Sequence, residues 1–274
     1  MKPIEWNNSA LTKLERCGEA FRRRYIEGEV VPPSPRMLRG TVVHKVASTT
    51  MLRKLEEQTV PSVEEAKDLA ATEFEQQWAG GVSFEQEPVE GSADAEKGRS
   101  KDFSVDVSGF YVSGVAPSIE PVAVERRITV RPKDSDLVIH GTMDLVATAA
   151  RGGEAIRDLK TSEKSPSKDA AARSQQLTMY AMLRHAETGE LPEELSLDYA
   201  VRTPARGDLK FVPLPTTRDA GDVAALVHRL NTAVEAVKRG VFMPTAPDSW
   251  WCSAMWCEYY NSCVYVRRGV RPRE

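Results

Sequence analysis

Three residues near the middle of this 274-residue chain have the types and spacing to do chemistry together: Asp144, Asp158 and Lys160, all within "DLVATAARGGEAIRDLKT". The stretch reads as a β-hairpin turning at Gly152-Gly153. Centred on Arg151, it sets Asp144 and Asp158 each seven residues from the middle. They then stand opposite one another, with Cβ atoms ~4.5–5.5 Å apart. Side chains alternate along a strand, so Lys160 shares a face with Asp158. Facing carboxylates repel, and a divalent cation between them reverses the sign. A hard, oxygen-seeking ion such as Mg²⁺ or Mn²⁺ suits that place. Lys160 adds a positive charge for a phosphate oxygen or for generating hydroxide. All of this depends on register, because a one-residue shift sends the two acids to opposite faces. The plainer alternative is a solvent-facing hairpin with scattered charges.

A second set of reactive side chains is the cysteines. Cys17 stands alone near the start, while "WWCSAMWCEYYNSC" holds Cys252, Cys257 and Cys263 with four and then five residues between them. Three thiols need a fourth to complete tetrahedral S₄ coordination or to carry a [4Fe–4S] cluster, and Cys17 is the one that is left. Such a site would pin the N-terminal helix to the C-terminal segment. Structural Zn²⁺ is the alternative metal. The competing reading is free cysteines buried in an aromatic core. No apolar run is long enough to span a bilayer, and "MKPIEWNNSALTKLERC" lacks the apolar core of a signal peptide, so a cytoplasmic location is expected. In that compartment crowded cysteines point to metal rather than to disulfides.

These residues need elements to position them. Hydrophobic residues at 41% and charged residues at 28% suit a soluble globular chain that can bury its own core. The net charge of −3 excludes little, because basic clusters such as "FRRRY" and "VRRGVRPRE" contact phosphates only if they line a groove. A first helix starts near Asn8 or Ser9, with Leu11, Leu14, Phe21 and Tyr25 at helical spacing. After the proline break, a second helix carries "MLRGTVVHKVASTTMLRKLEEQ", placing Gly40 and His44 on one face. A third covers "VEEAKDLAATEFEQQW". The polar residues 85–104 read as a long loop, with a further helix within 106–118. Strands follow at "PVAVERRITV", "DLVIHGTMDLVAT" and "EAIRDLKT". A helix from about Ser167 to Gly189, the strands "ELSLDYAVR" and "LKFVPL", and a helix over Ala220–Arg239 complete the outline. The fold class is α/β: a sheet of about five strands flanked by helices, with a cysteine-bearing appendage.

Four short motifs occur in order along these elements: "RGTVVH" ending at His44, "HGTMD" ending at Asp144, "IRDLKT" with Asp158 and Lys160, and "QLTMY" from Gln176 to Tyr180. The series resembles the RecB-like exonuclease branch of the PD-(D/E)XK nuclease superfamily, from about residue 9 to 263. The resemblance implies a restriction-endonuclease-like core with a mixed sheet, in one nuclease domain over 1–274. Its parts would be a mainly helical 1–118, a core over 119–240 and a cysteine tail over 241–274. It implies His44, Asp144 and Asp158 as metal ligands, with Leu159 contributing its backbone carbonyl. Lys160 would position or activate water, while Gln176 and Tyr180 contact the DNA backbone or support the lysine. Glu125 is a weaker candidate for a metal or outer contact.

The implied activity is hydrolysis of DNA phosphodiesters with Mg²⁺ or Mn²⁺, as a single-strand or end-directed exonuclease or possible endonuclease in recombination, repair or DNA processing. The implied partners are DNA and a separate helicase, annealing protein or CRISPR-adaptation protein, with no membrane. Members of that branch carry one early and three late cysteines around a [4Fe–4S] cluster, though with tighter spacing between the first two late ones. The alternative function is a DNA-binding or assembly subunit that keeps the fold and does not cut. The chain contains no "GxxxxGK[ST]" loop, no "HExxH" helix and no Ser-His-Asp set.

Overall fold

The computed structural model describes residues 4–85, 91–133, 137–203 and 207–267. The chain opens with the two-residue strand β1 (Glu5–Trp6) and helix α1 (Asn8–Arg16). The side chain of Asn7 caps α1 by accepting from Ala10 N, one residue earlier than the sequence suggests. The expected single helix through Tyr25 is broken at Cys17, whose backbone is extended. Beyond it come α2 (Gly18–Phe21) and a π turn over Arg22–Ile26. The break has a cause: Gly18 N–H donates to Met243 O at 2.7 Å, and a Cβ on Gly18 would meet that backbone at 2.5 Å. The C-terminal segment therefore lies directly on this joint.

Helix α3 (Pro35–Glu57) has Ser34 as its N-cap and a proline in its first turn. Helix α4 (Val63–Ala79) starts with a full capping box between Ser62 and Glu65. Helix α5 (Ala93–Phe110) then occupies much of the stretch expected to be a loop. Residues 86–90 of that expectation lie outside the described residues. The polar look of α5 misleads because Ser100, Ser104 and Ser108 form a buried stripe at helical spacing beside Phe103 and Val107. Small serines let α5 pack closely, and two of their hydroxyls bond locally: Ser104 Oγ to Ser100 O and Ser100 Oγ to Glu96 Oε1, each at 3.0 Å. A π turn (Tyr111–Val115) and a 3₁₀ turn (Ala116–Ser118) lead into the sheet.

The sheet has six strands, with β2 (Pro121–Val130), β3 (Val138–Thr148), β4 (Glu154–Ser162), β5 (Glu194–Arg202) and β6 (Leu209–Thr216) joining β1. It is mixed: β1–β3 and β4–β5 are parallel, and the other pairs are antiparallel. Helix α6 (Gln175–Thr188) makes the crossover between parallel β4 and β5, and α7 (Ala220–Lys238) follows β6. Helix α6 starts at Ser174, seven residues later than the Ser167 expected from sequence. Buried Arg218 favours the delay, since its Nη2 donates to Ala171 O, a carbonyl that a longer helix would use, and to Ser174 O at the N-cap.

Three layers result. Helices α1, α6 and α7 cover one face through Leu11, Leu177, Tyr180, Leu226 and Leu230. Helices α3 and α5 cover the other through Val43, Met51, Phe103 and Val107 against Leu145 and Leu159. Helix α4 lies outside these, packing Ala66, Ala70 and Phe74 on Leu38 and Val42.

Candidate active site

The site lies where the sheet forks. Strand β2 pairs along nearly all of β3, so β1 and β4 share the remaining edge of β3 from opposite ends. β1 takes Val138 and Ile139, and β4 takes Leu145 to Thr148. From His140 to Asp144 that edge of β3 has no strand partner among the described residues. Strand β4 meanwhile stays paired with β5 out to Ser162. Asp158 is thus the first residue of β4 beyond the β3 ladder.

The hairpin register is the one expected, with Leu145 opposite Arg157 and Thr148 opposite Glu154. Continued by one step, it sets Asp144 against Asp158. The strand changes phase at that point. Met143 packs toward α6 while Leu145, two residues on, packs toward α3 and α5. Residues two apart share a face on a regular strand, so alternation resets at Asp144. The neighbouring strand breaks with it: Glu125 of β2, between the pairs Val124–Leu145 and Arg126–Met143, has φ +49°. A left-handed backbone at a non-glycine residue inside a strand is uncommon. Asp144 consequently lines cavities on both sides of the sheet, one of about 20 Å³ beneath His44 and one of about 250 Å³ beside α6.

Helix α3 brings His44 to the fork, its Nδ1 3.2 Å from Asp144 Oδ2. The close approach depends on Gly40 one turn earlier, where a Cβ would come within 3.3 Å of Thr161 Oγ1 on β4. Asp144 Oδ2 also accepts from Leu159 N–H at 3.0 Å. Burial lowers the affinity of the His44 imidazole for a proton, but the hydrogen bond and charge of Asp144 outweigh it, and the net shift is upward.

Asp158 is 1% exposed and faces α6, as does Lys160. Tyr180 Oη lies 3.3 Å from Asp158 Oδ1 and donates to Thr142 O at 2.8 Å. It accepts from Gln176 Nε2 at 2.8 Å, while Gln176 Oε1 accepts from Lys160 Nζ at 2.9 Å. The lysine is therefore held from behind by the first turn of α6. Its Nζ also stands 2.7 Å from Asp158 Oδ2 as an ion pair. Burial pushes the Asp158 carboxyl upward, the charge of Lys160 opposes this, and the nearby Asp144 adds to it. Among the described residues, no three carboxylate, imidazole or thiol groups converge closely enough to hold one metal ion as they stand.

The structure gathers His44, Asp144, Asp158, Leu159, Lys160, Gln176 and Tyr180 at the fork. Glu125 is exposed but lines the small cavity with His44 and Asp144, and burial and the Asp144 charge raise its carboxyl. Sequence reasoning missed a second charged group behind the site. Arg157 Nε donates to buried Asp198 Oδ2 at 2.6 Å, and Ser196 Oγ donates to Oδ1 at 2.6 Å. Both Arg157 and Asp198 line the cavity beneath His44. A signal was present: Arg157 alternates with Asp158 and so had to enter the opposite, buried face.

The cysteines lie around the other end of α1 without converging on one point. Cys17 Sγ accepts from Thr245 N–H at 3.4 Å, and Cys17 and Cys257 line one cavity. All four thiols are free and partly buried. Burial, and then the neighbouring thiols Cys263 and Cys17, push Cys252 upward. Cys257 is pushed up to about 11, chiefly by burial, with the Glu258 charge and then Cys17 and Cys263 adding to it.

The chain can now be compared with known proteins. No curated protein matches it. Among solved structures, it is similar to a protein from Eubacterium rectale provisionally described as an exonuclease, at a TM-score of 0.52 and 13% identity, covering 99% of this chain and 90% of that one. At that identity the likeness supports the fold alone. The protein SSO0001 aligns at a TM-score of 0.40 and 14% identity, covering 97% of this chain and 88% of that one, and carries no argument. A family model describes residues 5–264, nearly the whole chain and every element of the fork. It is that of the PD-(D/E)XK nuclease superfamily, to which this chain belongs.

Proposed function

We propose that this nuclease is a divalent-metal-dependent, end-directed deoxyribonuclease of the RecB-like branch. The observation that carries the reading is the convergence at the fork: buried Asp158, with Lys160 Nζ 2.7 Å from its Oδ2, lies close enough to Asp144 to feel its charge, and His44 Nδ1 reaches Asp144 at 3.2 Å. Two acids held this close, one of them buried, disfavour each other's charge unless positive charge is brought between them. Asp144, Asp158, His44 and the Leu159 carbonyl would hold Mg²⁺ or Mn²⁺, which supplies charge neutralisation and water activation when bound. The donor set is hard and fits such an ion.

The chain's own residues do the positioning. Lys160, braced by Gln176 and Tyr180, places a positive charge where a phosphate oxygen gains charge during hydrolysis. His44 holds Asp144 in place through its Nδ1, and the Leu159 N–H fixes the same carboxylate from β4. The 250 Å³ cavity between Asn8, Gly141 and Gln176 gives the phosphate room on the α6 side.

Cys17, Cys252, Cys257 and Cys263 are proposed to hold a structural [4Fe–4S] cluster, with Zn²⁺ as the alternative. Four free, partly buried thiols, with Cys17 and Cys257 lining one cavity, support a soft-metal site. Iron, zinc and acid-labile sulfide assays on purified protein decide between them.

The test of the nuclease reading is digestion of end-labelled linear DNA with Mg²⁺ or Mn²⁺ by wild type, Asp144→Ala and Lys160→Ala. Metal-dependent loss of linear DNA, sparing of closed circles and inactivity of both variants are expected. Cleavage undiminished in the variants overturns it.

A further inference from the structure

From the catalytic fork a polar groove runs along α1 to the tryptophans of the cysteine segment. Three adjoining cavities make it up. The first, about 250 Å³ beside Asp144, shares Asn8 and Gln176 with a second of about 500 Å³. The second shares Asn8, Thr12, Arg16 and Trp251 with a third of about 420 Å³, which reaches Trp256. The walls carry side-chain amides (Asn8, Gln175, Gln176), two guanidinium groups, Arg16 and Arg173, and two carboxylates held in ion pairs, Glu15 with Arg229 and Glu258 with Lys13. The amides and guanidinium groups are of the kind that grip a chain of phosphates and sugars without selecting a sequence.

At the far end stands an aromatic platform. Trp250 and Trp251 are stacked with ring centroids 3.9 Å apart, and Trp256 stands edge-on to both at 5.2 and 5.7 Å. The Arg16 guanidinium lies 3.7 Å over the Trp251 ring and joins platform to groove. Trp250 and Trp256 nevertheless leave 58% and 48% of their surface in water. The chain's other two tryptophans, by contrast, are packed: Trp6 in the main core and Trp78 against Phe74. Exposed stacked aromatics beside arginines, in line with a phosphodiesterase site, match what holds single-stranded nucleic acid. Bases stack on the rings while cations follow the backbone.

We infer that the groove from Asp144 to Trp250, Trp251 and Trp256 is the track of a single DNA strand, with bases of that strand stacked on the tryptophan platform while its scissile phosphate lies at the fork. The inference rests on the nuclease reading and names the substrate form and the residues that grip it. A paired duplex cannot use the platform, because its bases are already stacked on one another. The same segment that carries the cysteines thus presents the stacking surface, and its folding sets the reach between platform and fork.

The experiment is a fluorescence titration of the full-length protein with oligo(dT) of 5 to 20 nucleotides (~5–20, spanning typical single-strand site sizes), without added divalent metal. An abasic strand of equal length is the control. Stacking predicts strong tryptophan quenching by oligo(dT) and little by the abasic strand. Trp250→Ala and Trp256→Ala weaken oligo(dT) binding roughly tenfold each, Trp250→Phe restores most of the affinity, and abasic binding stays as in wild type. With metal, the alanine variants raise KM on a 20-mer (~20 nucleotides, long enough to reach the platform) and leave kcat unchanged. Their turnover of a trinucleotide too short to span the groove is unaffected. Equal quenching by abasic and dT strands, or unaltered affinity in both alanine variants, overturns the track. Binding is read without metal, so absence of cleavage counts against the nuclease reading alone.

Discussion

Asp158 is asked to be two things, a buried group and a charge. Its burial favours the neutral acid, and Lys160 only partly offsets that. Asp158→Asn should therefore abolish cleavage while leaving the metal-free protein as stable as wild type or slightly more so, measured by urea denaturation without divalent ions. Tyr180→Phe acts the opposite way. It leaves Gln176 Nε2 and Thr142 O without their shared partner, and should cost about 1–3 kcal/mol in the same experiment. Lys160→Ala should lower kcat ~10²–10³-fold, on the scale seen when a group aimed at developing charge is removed. The residues of this network were legible in the sequence because their motifs are local. The side of the sheet that Arg157 enters was legible from its alternation with Asp158, but its partner Asp198 and the φ of Glu125 were not, since each makes sense only beside another strand.

Among the elements, strands and their register were read closely, because alternation and a Gly-Gly turn are short-range signals. Helix α5 was missed for a physical reason: Ser100, Ser104 and Ser108 pack as small residues but count as polar. Ser104→Leu should accordingly cost about 1–3 kcal/mol by overpacking, whereas Ser104→Ala should be close to neutral. The late start of α6 was also hidden, since the competing donor, Arg218, comes 44 residues after Ser174. Gly18 tests the joint between α1 and the C-terminal segment. A methyl there meets the backbone of Phe242 and Met243 rather than a side chain that can move. Gly18→Ala should lower thermal stability and reduce the metal or iron retained on purification, which metal analysis would show together.

At the scale of the molecule, the sheet divides its labour. One face carries the main core and the nuclease network, and the other anchors α3 so that His44 arrives at a fixed height. Helix α4, remote from the fork, only backs α3 and α5. Divalent metal should stabilise the whole fold by mass action, by about 2.7 kcal/mol at a hundred times its dissociation constant. A thermal-shift titration with Mn²⁺ should show this in wild type and lose it in Asp144→Ala.

The phase reset at Asp144 has a consequence for how such a sheet tolerates change. On an ordinary strand a one-residue insertion inverts every side chain beyond it, so an error at one end spoils the other. Here β3 behaves as two separately indexed segments that meet at Asp144. Before Asp144, Ile139 and Met143 face the main core beneath α6; after it, Val146 takes that face while Leu145 and Ala147 turn to α3 and α5. A register error in one segment therefore need not invert the other, and Asp144 occupies the seam between them.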